Sequence, residues 1–172
     1  MKECAPAKML LKTLLFSIIC LFILPTVAFP DELADLVVVI KSKRVMLLMK
    51  EGKIIKAYRI ALGKNPMGKK INKGDGKTPE GRYFIIDRNP NSNFHKSLRI
   101  SYPNEKDFEN ARRKGLHPGG DIAIHGLSKR VEYLGKYHII EDWTEGCIAV
   151  TNEEIEEMWR LVHNGTPIEI LP

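Results

Sequence analysis

From Asp35 onward the chain alternates short apolar runs with tight polar interruptions. Leu36-Val37-Val38-Val39-Ile40 is a β-branched run, Lys41-Ser42-Lys43 breaks it, and Val45 to Met49 resumes it. Glu51-Gly52 punctuates again, after which Ile54 to Leu62 alternates loosely and stops at Gly63. Apolar runs of strand length joined by such turns predict an antiparallel meander. Gly63 to Gly81 is rich in Gly, Lys, Asn and Pro and reads as a long surface loop. Arg82 to Ile86 and Leu98 to Tyr102 follow as strands, and Asn104 to Lys114 as a polar helix.

The second half carries three further apolar elements. Ile122-Ala123-Ile124 is a short strand that runs into His125-Gly126, and Leu127 to Trp143 reads as a loop partly ordered by its Tyr and Leu residues. Cys147 to Val150 is a strand. At Thr151 the period changes: Ile155, Met158, Trp159 and Val162 recur three and four residues apart, which predicts a helix with one apolar face. Thr151 with Glu154 three residues on has the spacing of a capping box, and Asn164-Gly165 closes the helix. Thr166 to Leu171 returns to a strand. The pattern predicts one mainly β domain over residues 35–172, with one or two flanking helices and no second domain.

Ahead of that domain, Lys2, Lys8 and Lys12 precede an apolar run from Leu14 to Val27, with small residues at Thr26 and Ala28. This is the layout of a secretory leader over residues 1–28, with cleavage after Ala28. A retained anchor is the other reading, although the run falls short of the roughly 20 residues that a bilayer span prefers. Ile19 stands before Cys20 where a lipoprotein signal needs a small residue, which argues against lipidation. The leader also holds part of the formal charge of +6; with Lys2, Lys8, Lys12 and Glu3 set aside, +4 remains. That is a mild bias towards anionic wall polymers or headgroups, without the basic and aromatic interleaving of a nucleic-acid groove. Membrane contact is expected only through the leader.

Of the three cysteines, Cys4 and Cys20 lie in the leader, so the exported domain retains Cys147 alone. A lone thiol in an oxidising compartment has no disulfide partner and is a liability unless it is used. Its surroundings point to use. Ile124-His125-Gly126 and Thr144-Glu145-Gly146-Cys147-Ile148 each place a reactive side chain at a strand edge beside a glycine. An imidazole can take the proton of a thiol and return it to a leaving amine, so Cys147 and His125 are the candidate nucleophile and base. Gly146 allows backbone amides close to a substrate carbonyl, and Thr144 offers a hydroxyl. Gly126 adjoins the base, and His138 is a candidate for ordering the loop or bonding near Cys147. His95, His117 and His163 are expected at the surface. The histidines lack metal-ligand spacing, so no metal site is expected.

These residues resemble the catalytic domain of the L,D-transpeptidase family of the YkuD type, whose mark is a His-Gly upstream of Ser/Thr-x-Gly-Cys followed by an apolar residue. The turn Thr78-Pro79-Glu80-Gly81 also fits that family, and the similarity runs from about Leu36 to Leu171. The resemblance implies a β-sandwich of mixed sheets and a reaction on peptidoglycan stem peptides in the periplasm or cell envelope. Cys147 would attack the carbonyl of the third, diamino acid residue, release the terminal D-Ala and hold a thioester. A stem peptide, a wall-linked lipoprotein lysine or a free D-amino acid would resolve it, with no cofactor. The chain departs from many members at two points: Glu145 stands where they have His, and Ala149 where they have Arg or Asn. Glu145 is expected to face solvent or the acceptor amine, since a carboxylate turned inward would oppose the thiolate.

Two enzyme readings fit less well. A sortase needs Thr-Leu-x-Thr-Cys and an Arg on a following strand, whereas this chain has Thr-Glu-Gly-Cys and only Arg160 beyond it. Papain-like peptidases place Cys before His, the reverse of the order here. Resolution of the thioester by water, and a non-catalytic wall-binding module, remain as alternatives. Lys64, Lys69, Lys70, Lys73 and Lys77 make the loop before the Thr-Pro turn basic, suited either to solvent or to stem carboxylates.

Overall fold

A computed structural model describes residues 32–172; the leader read over residues 1–28 lies outside them. The strands are β1 (Leu36–Ile40), β2 (Val45–Lys50), β3 (Lys53–Arg59), β4 (Gly81–Ser92), β5 (His95–Ile100), β6 (Ala123–His125), β7 (Ile148–Ala149) and β8 (Pro167–Leu171). Two α-helices accompany them, α1 (Glu105–Arg112) and α2 (Asn152–Leu161). They form one mixed eight-stranded sheet in the order β3-β2-β1-β8-β4-β5-β6-β7.

The expected meander is present: β1 pairs antiparallel with β2, and β2 with β3. Glu51 and Gly52 turn the second hairpin, both with positive φ, 49° and 75°. Side chains alternate as a half-buried sheet requires, with Val37, Val39, Met46 and Leu48 fully buried. β8 then lies parallel to β1, with Val37 opposite Ile168, and antiparallel to β4 on its other side.

β4 is the strand on which the fold turns. Gly81 to Phe84 pair with β8, whereas from Ile85 the strand pairs with β5. The register shifts between Ile85 and Asp87 and again between Asn89 and Ser92. Such bulges bend and twist a strand, and this one carries the sheet from its first half into its second. One buried cluster draws on both halves, with Tyr83, Ile85, Leu98, Ile100, Ile124 and Ile148 joining Val37, Met46 and Ile168. α2 adds Ile155, Met158 and Leu161 to that cluster, each contributing on the order of 1.5–3 kcal/mol by leaving water. Its capping box forms in both directions, Thr151 accepting from the Glu154 amide and Glu154 from the Thr151 amide.

The two ends of the sheet also meet. Just beyond β3, Ala61 and Ala149 exchange both backbone hydrogen bonds, at 3.1 and 2.9 Å. The strand order therefore nearly closes on itself at β7, the strand that follows Cys147. The segment read as a partly ordered loop, Leu127 to Trp143, contains 3-10 turns over Glu132–Ile140, broken at Gly135 where φ is 46° and ψ is −126°.

Candidate active site

Cys147 and His125 come together through the parallel pairing of β6 and β7. Ile124 lies opposite Ile148 and His125 opposite Ala149. Extending the register one step puts Cys147 beside Ala123, two residues from His125 and on the same face. Both side chains line one cleft of about 440 Å³, together with Asn89, Asn91, Arg99 and Asp121. Cys147 is partly exposed and makes no disulfide. His125 is only 3% exposed.

The imidazole is held on every side. Its Nδ1 lies 2.7 Å from the carbonyl oxygen of Gly126. A carbonyl can only accept, so Nδ1 carries the hydrogen and Nε2 of the neutral ring is the proton acceptor. The Phe94 ring lies at 4.4 Å from the His125 ring, and Trp143 meets it edge-on at 5.9 Å. Burial pushes the His125 pKa below the usual histidine value, only partly countered by the Gly126 carbonyl. The ring is therefore neutral at neutral pH, as a base must be.

Burial also pushes the Cys147 thiol above the usual thiol value; the Ala123 amide and the Lys70 ammonium work against this, and Asp121 adds to it. The resting thiol keeps its proton and points it at the Asp121 carbonyl, 3.6 Å away. Asp121 holds that carbonyl in place from a left-handed conformation, φ 56°. The resting pair is thus thiol and neutral imidazole rather than a preformed ion pair.

The remaining sequence candidates fall into place around this pair. Gly146 has φ 132°, and a Cβ there would lie 2.7 Å from the Lys77 carbonyl oxygen, so glycine is required. Its amide, expected to face a substrate carbonyl, instead donates to Thr144 Oγ1 at 3.1 Å. Thr144 is buried, and its hydroxyl donates in turn to the Cys147 carbonyl at 2.7 Å. The hydroxyl expected for substrate is thereby engaged in bracing the loop. Thr144→Val should leave a buried donor and acceptor unpaired and cost about 2–3 kcal/mol in the unfolding free energy, read from the denaturant midpoint. Thr144→Ser should recover most of it.

Gly126 acts through close approach rather than strain: Asn152 reaches past it to the Leu127 amide at 2.7 Å. His138 is buried, 4% exposed, and neither ring nitrogen has a hydrogen-bond partner. Burial and, secondarily, His125 lower its pKa. It does not line the cleft of Cys147 and His125 but a cavity of about 640 Å³ that it shares with Val131, Leu134, Tyr137 and Trp143. Glu145 turns outward as expected and pairs with Lys64. Ala149 is fully buried and committed to Ala61.

Four contributors were not singled out from the sequence. Phe94, Asp121 and Arg99 shape the cleft, and Asp142 anchors the loop before Thr144. Asp142 accepts from the Arg44 guanidinium at 2.7 Å and from the Leu62 amide at 2.9 Å. Single Phe, Asp and Arg residues in polar stretches carry no spacing signal that would mark them.

The mixed eight-stranded sheet is an L,D-transpeptidase-like fold, and it brings a neutral, tautomer-fixed histidine and a thiol into one cleft. Residues 34–170 match the L,D-transpeptidase catalytic domain, YkuD, and the chain belongs to that family. It is 24% identical to YkuD of Bacillus licheniformis over 156 residues, covering 87% of this chain and 73% of that protein. With YafK of Escherichia coli K12 it shares 29% identity over 112 residues, 63% of this chain and 37% of YafK. A solved variant of the helical cell shape determining protein Pgp2 from Campylobacter jejuni superposes with a TM-score of 0.59 at 26% identity, covering 83% of this chain and 48% of that one. The chain therefore spans well under two thirds of YafK and about half of Pgp2.

Proposed function

We propose that this protein is an exported L,D-transpeptidase that acts on peptidoglycan stem peptides in the cell envelope through a thioester on Cys147. The observation that carries the reading is the shared cleft of Cys147 and His125, with the imidazole tautomer fixed by Gly126. His125 Nε2 takes the thiol proton as Sγ attacks the carbonyl of the third residue. The carbon–nitrogen bond to the terminal residue breaks, and His125 returns the proton to the departing amine. The Gly146 amide is already engaged by Thr144. The oxyanion falls to the amide of Cys147 itself, fixed beside the nucleophile by covalent geometry. An amine acceptor then attacks the thioester: the neutral ring takes its proton, the carbon–sulfur bond breaks, and the ring returns the proton to the departing Cys147 thiolate. A stem peptide, a free D-amino acid or a wall-linked lipoprotein lysine all offer such an amine.

Incubation of the domain with a carbapenem, followed by mass spectrometry of the intact protein, tests the acyl-enzyme. A stoichiometric adduct is expected; its absence would favour a non-catalytic wall-binding module. Digestion of sacculi and mass spectrometry of the released muropeptides then separates transfer from hydrolysis, since 3–3 links or amine adducts appear in the first case and trimmed stems in the second.

The acid limb of acylation follows from the His125 shift. Because its folded pKa lies below the ordinary value of about 6.5, the rate should stay flat through pH 7 and fall only below 6.5. The same shift acts on stability: the unfolded chain binds a proton near pH 6.5 that the folded ring refuses, so stability falls as pH drops below that value. Stopped-flow acylation and denaturant titrations across pH 5–8 read both effects. A rate already falling at pH 7.5 would contradict the neutral-base reading.

A further inference from the structure

Beside Cys147, on the other side of Asp121 from the catalytic cleft, lies a second cavity of about 430 Å³ lined by Lys70, Lys73, His117, Asp121, Ile122 and Glu145. Lys70 has a side chain only 3% exposed, which is a costly position for an ammonium. Its Nζ donates to Asp75 at 2.8 Å and to the Asn72 carbonyl at 3.2 Å. Those bonds use two of the three hydrogens of the ammonium. Asp75 is held charged for this purpose: burial opposes ionisation, but Lys70 and the amides of Ile71, Lys77 and Asn72 together keep its pKa below the usual carboxylate range.

The acidic residues on the same wall are answered elsewhere. Glu145 pairs with Lys64, and Asp121 lies 3.8 Å from Arg99. Lys73 is exposed and has no ion-pair partner among the described residues. The cavity therefore presents one buried ammonium with a donor to spare and one free cation, next to the nucleophile. The cleft on the other side carries amide and hydroxyl side chains, Asn89, Asn91, Ser92 and Asn93, suited to an extended peptide, and its guanidinium, Arg99, is answered by Asp87 at 3.7 Å and Asp121 at 3.8 Å. Asp121 lines both cavities and its carbonyl accepts from Cys147 Sγ, so the thiol sits where the two adjoin.

We infer that this second cavity binds the free α-carboxylate of the residue that leaves, with Lys70 and Lys73 as its specificity-determining contacts. The inference rests on the proposed acyl transfer and adds its direction: the stem lies in the amide-lined cleft, and the departing residue in the cationic one. Charge and length are then selected together. A donor ending one residue beyond the scissile carbonyl puts its carboxylate at Lys70. A donor one residue longer overshoots by about 3.3–3.6 Å, and a C-terminal amide brings no charge.

The test compares three donors on the whole domain: a tetrapeptide acid, the same peptide as C-terminal carboxamide, and a pentapeptide acid. Wild type should prefer the tetrapeptide acid by about 10-fold to 100-fold in kcat/KM, the worth of a charge-assisted bond. In Lys73→Gln the preference should shrink several-fold, and in Lys70→Gln it should fall close to one. Because each ratio is measured within one variant, partial loss of folded protein cancels. Lys70→Arg, which keeps the charge, should retain most of the preference. Equal rates for acid and carboxamide in wild type would overturn the inference, as would an unchanged preference in both Gln variants. A carbapenem adduct without acid preference sinks only this inference, whereas no adduct and no turnover sink the acyl-transfer reading with it.

Discussion

Cys147→Ala will form no carbapenem adduct and will lower turnover of stem peptides by about 10⁴-fold or more. His125→Gln will lower acylation by about 10²–10⁴-fold, the usual worth of a positioned base. The two losses differ in their pH dependence. On the proposed mechanism the wild-type thiol needs no prior ionisation, because the neutral ring accepts its proton during attack. Without the ring, reaction waits for free thiolate, and burial has moved the thiol above its ordinary range. Acylation of His125→Gln should therefore climb with pH well past the point where wild type is flat. Iodoacetamide labelling of the same variant should follow the same alkaline rise. A His125→Gln enzyme that acylates at the wild-type rate at pH 7 would remove His125 from the mechanism.

Gly126→Ala is the second large effect, although glycine 126 touches neither thiol nor substrate cleft. A Cβ at this position would lie 2.6 Å from Asn152 Oδ1, 3.0 Å from Ile155 Cγ2 and 3.1 Å from the Phe94 carbonyl oxygen. Two of these neighbours cannot yield cheaply: one is backbone, and the Ile155 side chain is fully buried in the core. If Asn152 moves, the Leu127 amide loses its acceptor; if residue 126 moves, its carbonyl leaves His125 Nδ1. Stability should drop by roughly 2–4 kcal/mol. Acylation should fall about 10-fold to 100-fold, since a displacement near 1 Å suffices for that loss. Intrinsic thiol labelling at high pH should be unchanged, which separates a misplaced base from a damaged nucleophile. Acylation at the wild-type rate would show that the Gly126 carbonyl does not set the ring.

Much of this was legible in the residues. The β-branched runs and their turns marked the first two strands of the meander to within one residue and overran the end of the third by three, and the capping box of α2 stands where Thr151 and Glu154 placed it. The family motif put the thiol and the ring at opposite ends of a loop, and the strand pairing brings them into one cleft. Other features were hidden for physical reasons. The outer half of β4, Asp87 to Ser92, is polar and contains Pro90, so it reads as a loop; β5 pairing holds it as a strand, and its side chains wall the cleft. Thr144 and Gly146 were expected at the substrate, yet the Gly146 amide bonds the Thr144 hydroxyl and that hydroxyl the Cys147 carbonyl, which only coordinates reveal. The Lys70–Asp75 pair looked like part of a solvated basic loop because nothing in a run of lysines distinguishes the one that is buried.

The place of β8 bears on the order in which the domain assembles. It is the last strand of this sequence, yet it lies in the middle of the sheet, between the first strand and the fourth. Val37 must find Ile168 before the two halves share a backbone ladder. Closing so long a stretch of chain is slow, and the early hairpins have no central strand to lean on until it arrives. A chain emerging from its N-terminus therefore stays loose until residues 167–171 are free.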